Sequence, residues 1–424
     1  MAFEIRLAGT SGQVPARPGG VGWIGGRVRL GWTTLGPPGR DRCRGQGCAR
    51  GHAWAATIRG MLMFLDDYSE GAHPAVLEAL VAHNGGQELG YGEDQYSRLA
   101  AARIAAQVGR DCEVHLLVGG TQTNLTCLGA FLRSHEGVVA AQTAHINVHE
   151  TGAVEATGHR IVQIPAPTGK LDPGLVDEAL AQHEDEHSVR PAGIFLAQAT
   201  EAGGVYTADE LGALCAHAHA RGLWVYLDGA RLAPALAALG ARLDLIAACG
   251  VDAFFAGGTK NGALCGEAVV LVSDELRRDF RYHMKQRGAL LAKGRLLGIQ
   301  FARLFDGDDL WYRLGAQANA AAARLTRGLN DHGVPPRAAE ANQVFVELPG
   351  DAAGRLAATA RFHVWSRGER GTLIRLVCSW ATDEAMVDRL IDEVRRALAP
   401  PSATETPPGQ VREPGGVAGR GCGV

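Results

Sequence analysis

The chain has 424 residues, 46% of them hydrophobic and 21% charged, with a formal net charge of −3. That is enough apolar material for a large core and, by length, for two or three domains. The charge balance argues against nucleic acid or an anionic membrane as a partner, and no apolar run approaches the roughly 20 residues that span a bilayer.

Residues 1–60 hold nine arginines, no lysine and two acids, are rich in glycine and show no sustained period. They read as a disordered extension, or as sequence upstream of a true start at Met61 or Met63. From there short apolar runs alternate with helical stretches. Strands are predicted at Val114–Val118, Val138–Ala141, Ile161–Pro165, Ile194–Ala197, Trp224–Leu227, Ala253–Ala256 and Ala268–Val272, with helices opening near Thr121 and running over about 207–221. This β/α alternation implies a mostly parallel sheet with helices on both faces. Beyond residue 275 the pattern changes to long helices over about 275–303 and 308–331. Short strands near Val344–Val346 and Leu373–Val377 and a closing helix over 383–398 follow. The expected organisation is a large domain over 61–275, with an N-terminal segment 61–100, a smaller α+β domain over 276–400, and a disordered tail over 401–424.

The nine cysteines (Cys43, Cys48, Cys112, Cys127, Cys215, Cys249, Cys265, Cys378 and Cys422) are scattered singly. An odd, unpatterned set suits a reducing compartment, so a cytoplasmic location is expected. Cys43, Cys48 and His52 fall short of the ligand set of a zinc site, and no metal is expected. Lysine is scarce: only Lys170, Lys260, Lys285 and Lys293 occur. Arginine can replace lysine where charge alone is needed, but guanidinium does not lose its proton and cannot act as a nucleophilic amine. The four lysines are therefore a short list for carbonyl chemistry, with Lys170 set in a turn-like loop.

Four local signals fall in order, most at the carboxyl ends of predicted strands, where open α/β sheets bind ligands. Gly119-Gly120-Thr121-Gln122-Thr123-Asn124 follows a strand and opens a helix. Its glycines and free N–H groups suit a phosphate, to which Thr121 can add a hydroxyl. His145 follows the next strand and could stack on an aromatic ring or move protons. In Val225-Tyr226-Leu227-Asp228-Gly229-Ala230-Arg231 a carboxylate ends a buried strand. It needs a cationic partner, either a protonated pyridine nitrogen or Arg231 itself. In Phe254-Phe255-Ala256-Gly257-Gly258-Thr259-Lys260 an apolar strand runs through glycines into a lysine, where burial favours the nucleophilic amine. A phosphate cradle, a ring-stacking group, a carboxylate and an imine-forming amine are the parts that a pyridoxal-phosphate (PLP) enzyme must provide.

With Ile374-Arg375-Leu376-Val377 added, this ordered set resembles the threonine aldolase and β-eliminating lyase group of fold-type-I PLP enzymes, over about residues 63–398. The resemblance implies an α/β fold like that of aspartate aminotransferase, and a homodimer or dimer of dimers with active sites at the subunit interface. Lys260 would then carry the cofactor and Asp228 would meet the pyridine nitrogen. His145 would stack on the ring, and Gly120 and Thr121 would hold the phosphate. Arg231 would contact both cofactor and substrate, and Arg375 would clamp the substrate carboxylate. Tyr91, in Gly90-Tyr91-Gly92, matches a tyrosine that reaches a partner's site, and Arg295 or Lys293 would approach the phosphate.

Two departures stand out. The Ser-Asp-Thr opening of the aldolases is replaced by Asp66-Asp67-Tyr68-Ser69-Glu70-Gly71, in which Ser69 is assigned to the substrate side. Their Asn-Thr-His-Asn-Gly stretch is replaced by Ala199-Thr200-Glu201-Ala202-Gly203, so Glu201 stands where a histidine serves the substrate's β-hydroxyl. The leading expectation is retro-aldol cleavage of a β-hydroxy-α-amino acid to glycine and an aldehyde, with His145 or Glu201 as base. The alternatives are β-elimination to a keto acid and ammonia, transamination, and a non-catalytic protein of the same fold.

Overall fold

The computed structural model describes residues 60–399. The expectations for the N-terminal extension, for Cys43, Cys48 and His52, and for the C-terminal tail lie outside the described residues. Twelve strands are described: β1 (Leu62–Met63), β2 (Glu113–Leu117), β3 (Glu136–Ala141), β4 (Arg160–Ile164), β5 (Arg190–Ala197), β6 (Trp224–Asp228), β7 (Ala253–Gly257), β8 (Glu267–Leu271), β9 (Gln343–Pro349), β10 (Ala360–Arg361), β11 (His363–Arg367) and β12 (Gly371–Val377).

Seven of them form one sheet in the order β2-β8-β7-β6-β5-β3-β4. Its pairings are parallel except those of β8, which runs antiparallel to both β2 and β7. Side chains alternate across the sheet, as the two-residue period requires. Val139, Ile194, Val225, Leu227, Phe254 and Val270 enter one core, while Val138, Phe195, Tyr226, Phe255 and Val269 enter another on the opposite face. Burial on both faces is why these strands read as continuous apolar runs in the sequence.

A second, three-stranded antiparallel sheet has the order β11-β12-β9. Its core joins Val344, Val346, Ile374 and Leu376 to Leu325 and Leu329 of the helix Leu310–Asp331 and to Leu390 and Val394 of the helix Glu384–Leu398. Leu62 and Phe64 also pack in this core, through a short parallel pairing of β1 with β10. The start of the body therefore packs with its end, although the sequence reading groups it with the large sheet.

The expected helix over 275–303 is broken into Asp274–Arg277, Phe280–Gln286 and Arg295–Leu304. Asp279 and Gly288 adopt left-handed backbone at the two breaks, which an α-helix cannot continue through. The strand β11 was not expected; it lies at the edge of its sheet and carries no clear alternation of burial.

The parallel strands and β2 end on the same side of the large sheet, and their following turns carry the chemistry. The turn after β6 depends on Gly229, where a Cβ would stand 1.7 Å from the carbonyl oxygen of Phe255. The end of β7 is held by Trp311, fully buried, whose Nε1 donates to the Gly257 carbonyl at 2.8 Å. Its own carbonyl accepts from Asn261 Nδ2 at 2.7 Å. Trp311→Ala is expected to lower unfolding free energy by about 3–5 kcal/mol, read by urea denaturation, because it opens a cavity and strands the Gly257 carbonyl.

Candidate active site

Beyond the ends of β3, β5, β6 and β7 lies a cleft of about 390 Å³, lined by Tyr68, His145, His149, Glu201, Lys260 and Arg375 among others. Lys260 follows β7 by three residues and is half-buried. Among the described residues its Nζ makes no ion pair within 4 Å, and it stands 5.7 Å from the centre of the Tyr68 ring. Arg231 sits at the base of the cleft with Glu201.

Beneath the cleft a buried polar chain fixes the groups at the strand ends. Tyr226 donates to Asn124 Oδ1 at 2.9 Å. Asn124 Nδ2 donates to Asp228 Oδ2 at 3.0 Å and to Glu150 Oε1 at 2.8 Å. The other Asp228 oxygen accepts the Ala230 N–H at 2.9 Å. Glu150 Oε1 meets His145 Nδ1 at 2.7 Å, which orients the imidazole. Burial pushes the pKa of His145 down, but the Glu150 hydrogen bond and the carboxylates of Glu201 and Asp228 outweigh it, and the net shift is upward. Asn124 belongs to the helix Gly120–Phe131, so the same chain locks the start of that helix to β6.

The cationic side of the cleft is ordered by one buried pair. Arg231 Nε and Nη2 donate to the two oxygens of Asp67 at 2.8 and 3.0 Å. Arg231 thus pairs with Asp67 and not with Asp228, the partner that sequence proximity suggested. Asn342 Nδ2 adds a third bond to Asp67 at 3.0 Å. Burial pushes the Asp67 carboxyl up, but Arg231 and Lys260 outweigh it and hold it below the usual carboxylate range. Glu201 Oε2 lies 3.9 Å from Arg231 Nη1 and 3.8 Å from Arg375 Nη1. It too is held low, because Arg231, Lys260, His145 and Arg375 together outweigh its burial. Arg375 is less committed. Its Nη1 reaches Gln343 Oε1 only at 3.4 Å, and its buried Nε has no partner among the described residues.

Lys260, His145, Glu201, Arg231 and Arg375 are therefore brought to one cleft, with Asp228 tied to His145 through Asn124 and Glu150. Gly120 and Thr121, at the start of the helix after β2, do not line it, and Ser69, Tyr91 and Arg295 are engaged elsewhere. Ser69 is exposed and donates to Asp66 at 2.8 Å. Tyr91 is exposed, with left-handed backbone and with Lys285 Nζ 4.1 Å from its ring centre. Arg295 donates to the backbone carbonyls of Gly86 and Asn84.

The β-eliminating lyase family model matches residues 64–350. The chain belongs to the β-eliminating lyase family. It is 35% identical over 343 residues to the low specificity L-threonine aldolase of Pseudomonas aeruginosa, covering 79% of this chain and 97% of that one. It is 34% identical over 342 residues to the enzyme of the same name from a Pseudomonas species, covering 79% and 98%. Among solved structures, a Leishmania major threonine aldolase superposes with a TM-score of 0.77 at 40% identity, covering 80% of this chain and 99% of that one. Thermus thermophilus aspartate aminotransferase with maleate gives 0.60 at 16% identity, covering 80% and 92%, and shares the fold. This member of the family is thus an α/β protein of the aspartate-aminotransferase type, with the strand arrangement described above.

Sequence reasoning did not assign roles to Asp67, Asn124, Glu150, His149 or His363. Asp67 and Asn124 lay inside stretches singled out for neighbouring residues and Glu150 five residues after His145, and their polarity close to buried strands was the available signal. His363 comes from the unexpected strand β11 and had none. Asp67→Asn leaves the buried Arg231 with only the more distant Glu201 carboxylate and is expected to cost about 3–5 kcal/mol at neutral pH. A lowered carboxyl pKa gives stability that is present above the ordinary Asp value of about 3.9 and is lost as pH falls through the folded value. The stability gap between wild type and Asp67→Asn, from denaturant curves at several pH values, should therefore narrow below about pH 4. A gap that stays constant into acid would contradict the ion pair.

Proposed function

We propose that the chain is a PLP-dependent aldehyde-lyase, cleaving a threonine-like β-hydroxy-α-amino acid to glycine and an aldehyde. We place it in the reducing cytosol, as a homodimer or dimer of dimers with Tyr91 directed to the partner's site. The observation that carries the reading is Arg375. A half-buried guanidinium whose Nε has no partner among the described residues opens on the same cleft as Lys260, and this suits a substrate carboxylate beside an amine.

The residues present fit the cofactor. The helix Gly120–Phe131 starts at Gly119 with no side-chain cap, and a Cβ on Gly119 or Gly120 would meet nothing within 4 Å. Gly120 and Thr121 therefore leave room and free N–H donors for a phosphate. Asp228 offers a hydrogen-bonded carboxylate for a ring nitrogen, His145 a flat face for the ring, and Lys260 the amine that joins it. When bound, PLP supplies a conjugated ring that accepts electrons from a bond broken at the substrate's Cα.

The chain's own residues then orient and move protons. Arg375 forks the substrate carboxylate and so selects which Cα bond is presented for cleavage. Glu201, held ionised between Arg231 and Arg375, fixes both guanidinium groups at the cleft. His145, oriented by Glu150, takes the hydroxyl proton at Nε2. Asp228 holds a proton at the ring nitrogen.

Incubation of the PLP-loaded protein with a panel of amino acids, scored for aldehyde and for pyruvate, tests the reaction. Glycine and an aldehyde from β-hydroxy substrates are expected; pyruvate and ammonia would mean β-elimination instead. Arg375→Lys keeps the charge but loses the fork, and should raise KM for the amino acid by about tenfold or more. An unchanged KM would remove Arg375 from the substrate site.

A further inference from the structure

One buried carboxyl near the cleft has no part in the chemistry above. Glu267 opens β8, and only 4% of it is exposed. The antiparallel β8 lies between β2 and β7, and Glu267 is in register with Leu117 on one side and Gly257 on the other. Two residues beyond Leu117 is Gly119, which starts the uncapped helix; three beyond Gly257 is Lys260. Glu267 thus stands at the seam between the anion cradle and the lysine turn. Its Oε2 accepts the Gly258 N–H at 3.0 Å. The turn closes on β8 a second time, where the Gly258 and Thr259 N–H groups each donate to the Gly266 carbonyl at 3.0 Å. Gly258 has no room for a side chain, since a Cβ there would lie 2.6 Å from Phe301 and 2.7 Å from the Gly266 carbonyl oxygen.

We propose that Glu267 is a positioning residue for Lys260, bracing the Gly258–Lys260 turn through its carboxyl and setting the charge next to the lysine nitrogen. Among the described residues Glu267 has no ion pair within 4 Å. Burial raises its pKa most, the Thr259 hydroxyl, the Gly258 N–H and Lys260 offset part of that, and Asp228 adds to the rise, leaving it at about 7. The carboxyl therefore changes charge within the working range of an enzyme. Ionised, it favours a proton on the lysine nitrogen and disfavours an anion at Gly119–Gly120; protonated, it does the reverse. Substituting glutamine keeps an acceptor for Gly258 but removes the charge.

This rests on the PLP reading, and the test separates the two. Purified protein is loaded with PLP, its visible absorption band is titrated with pH, and PLP affinity is measured by fluorescence. Glu267→Gln is expected to bind PLP within about twofold of wild type while the midpoint of the band moves down by about one pH unit. Glu267→Ala loses the brace as well and is expected to bind PLP about tenfold more weakly. Glu267→Asp keeps a titrating charge and should keep a midpoint above that of Glu267→Gln, which decides the matter even if the alanine variant does not fold. A glutamine variant that loads PLP and keeps the wild-type midpoint overturns the role of Glu267. A wild type with no visible band overturns the PLP reading itself.

Discussion

A guanidinium and a carboxylate taken out of water must meet each other closely or the fold loses several kcal/mol. The Asp67–Arg231 pair meets that condition at the point where three parts of the chain converge. Asp67 comes from the segment after β1, Arg231 from the turn after β6, and Asn342, just before β9, donates to both Asp67 and the Cys378 carbonyl. The pair settles the other charges. With two of its nitrogens committed to Asp67, Arg231 turns Nη1 toward Glu201, and Glu201 lies almost equally far from Arg375. Arg375 is left with an Nε that has no partner among the described residues. The resemblance assigned both arginines to the substrate; the charge order leaves Arg231 bound through two nitrogens to Asp67 and Arg375 the less committed of the two.

The opposite wall is built from neutral and anionic groups. Tyr226, Asn124, Asp228, Glu150 and His145 form a connected chain in which almost every buried atom finds a partner, a condition under which buried polar networks rigidify. The polar chain, Arg231 and Glu201 lie in or just after strands of the large sheet, whereas Arg375 lies in β12 of the three-stranded one. The antiparallel strand β8 then joins the glycine cradle after β2 to the lysine turn after β7, although more than 130 residues of chain separate them.

What was legible in the sequence was local. The strands of the large sheet, the glycine turn, Asp228 and Lys260 are each announced by a few consecutive residues, because a strand buried on both faces and a glycine turn leave short unmistakable patterns. What was not legible is made by distant residues. Asp67 and Arg231 are 164 positions apart, and the sequence showed Arg231 only the nearer Asp228, as one of two possible partners of that carboxylate. The helix breaks at Asp279 and Gly288 are backbone choices inside a stretch whose apolar spacing continues, and β11 is a half-exposed edge strand with no period to detect. Glu201 was legible as a substitution, but its place between two arginines was not. In one chain Tyr91 and Arg295 lie away from the cleft, and Ser69 serves the turn at Asp66.

Scarcity of lysine makes the central claim unusually easy to examine. The chain holds only four, Lys170 is engaged with Glu210, and Lys285 lies over Tyr91. Protein loaded with PLP, reduced with borohydride and digested, can be mapped by mass spectrometry for the lysine that retains the cofactor. Modification confined to Lys260 is the expected result. Stoichiometric modification of Lys285 or Lys293, or none at all, would contradict the assignment of this cleft as the cofactor site.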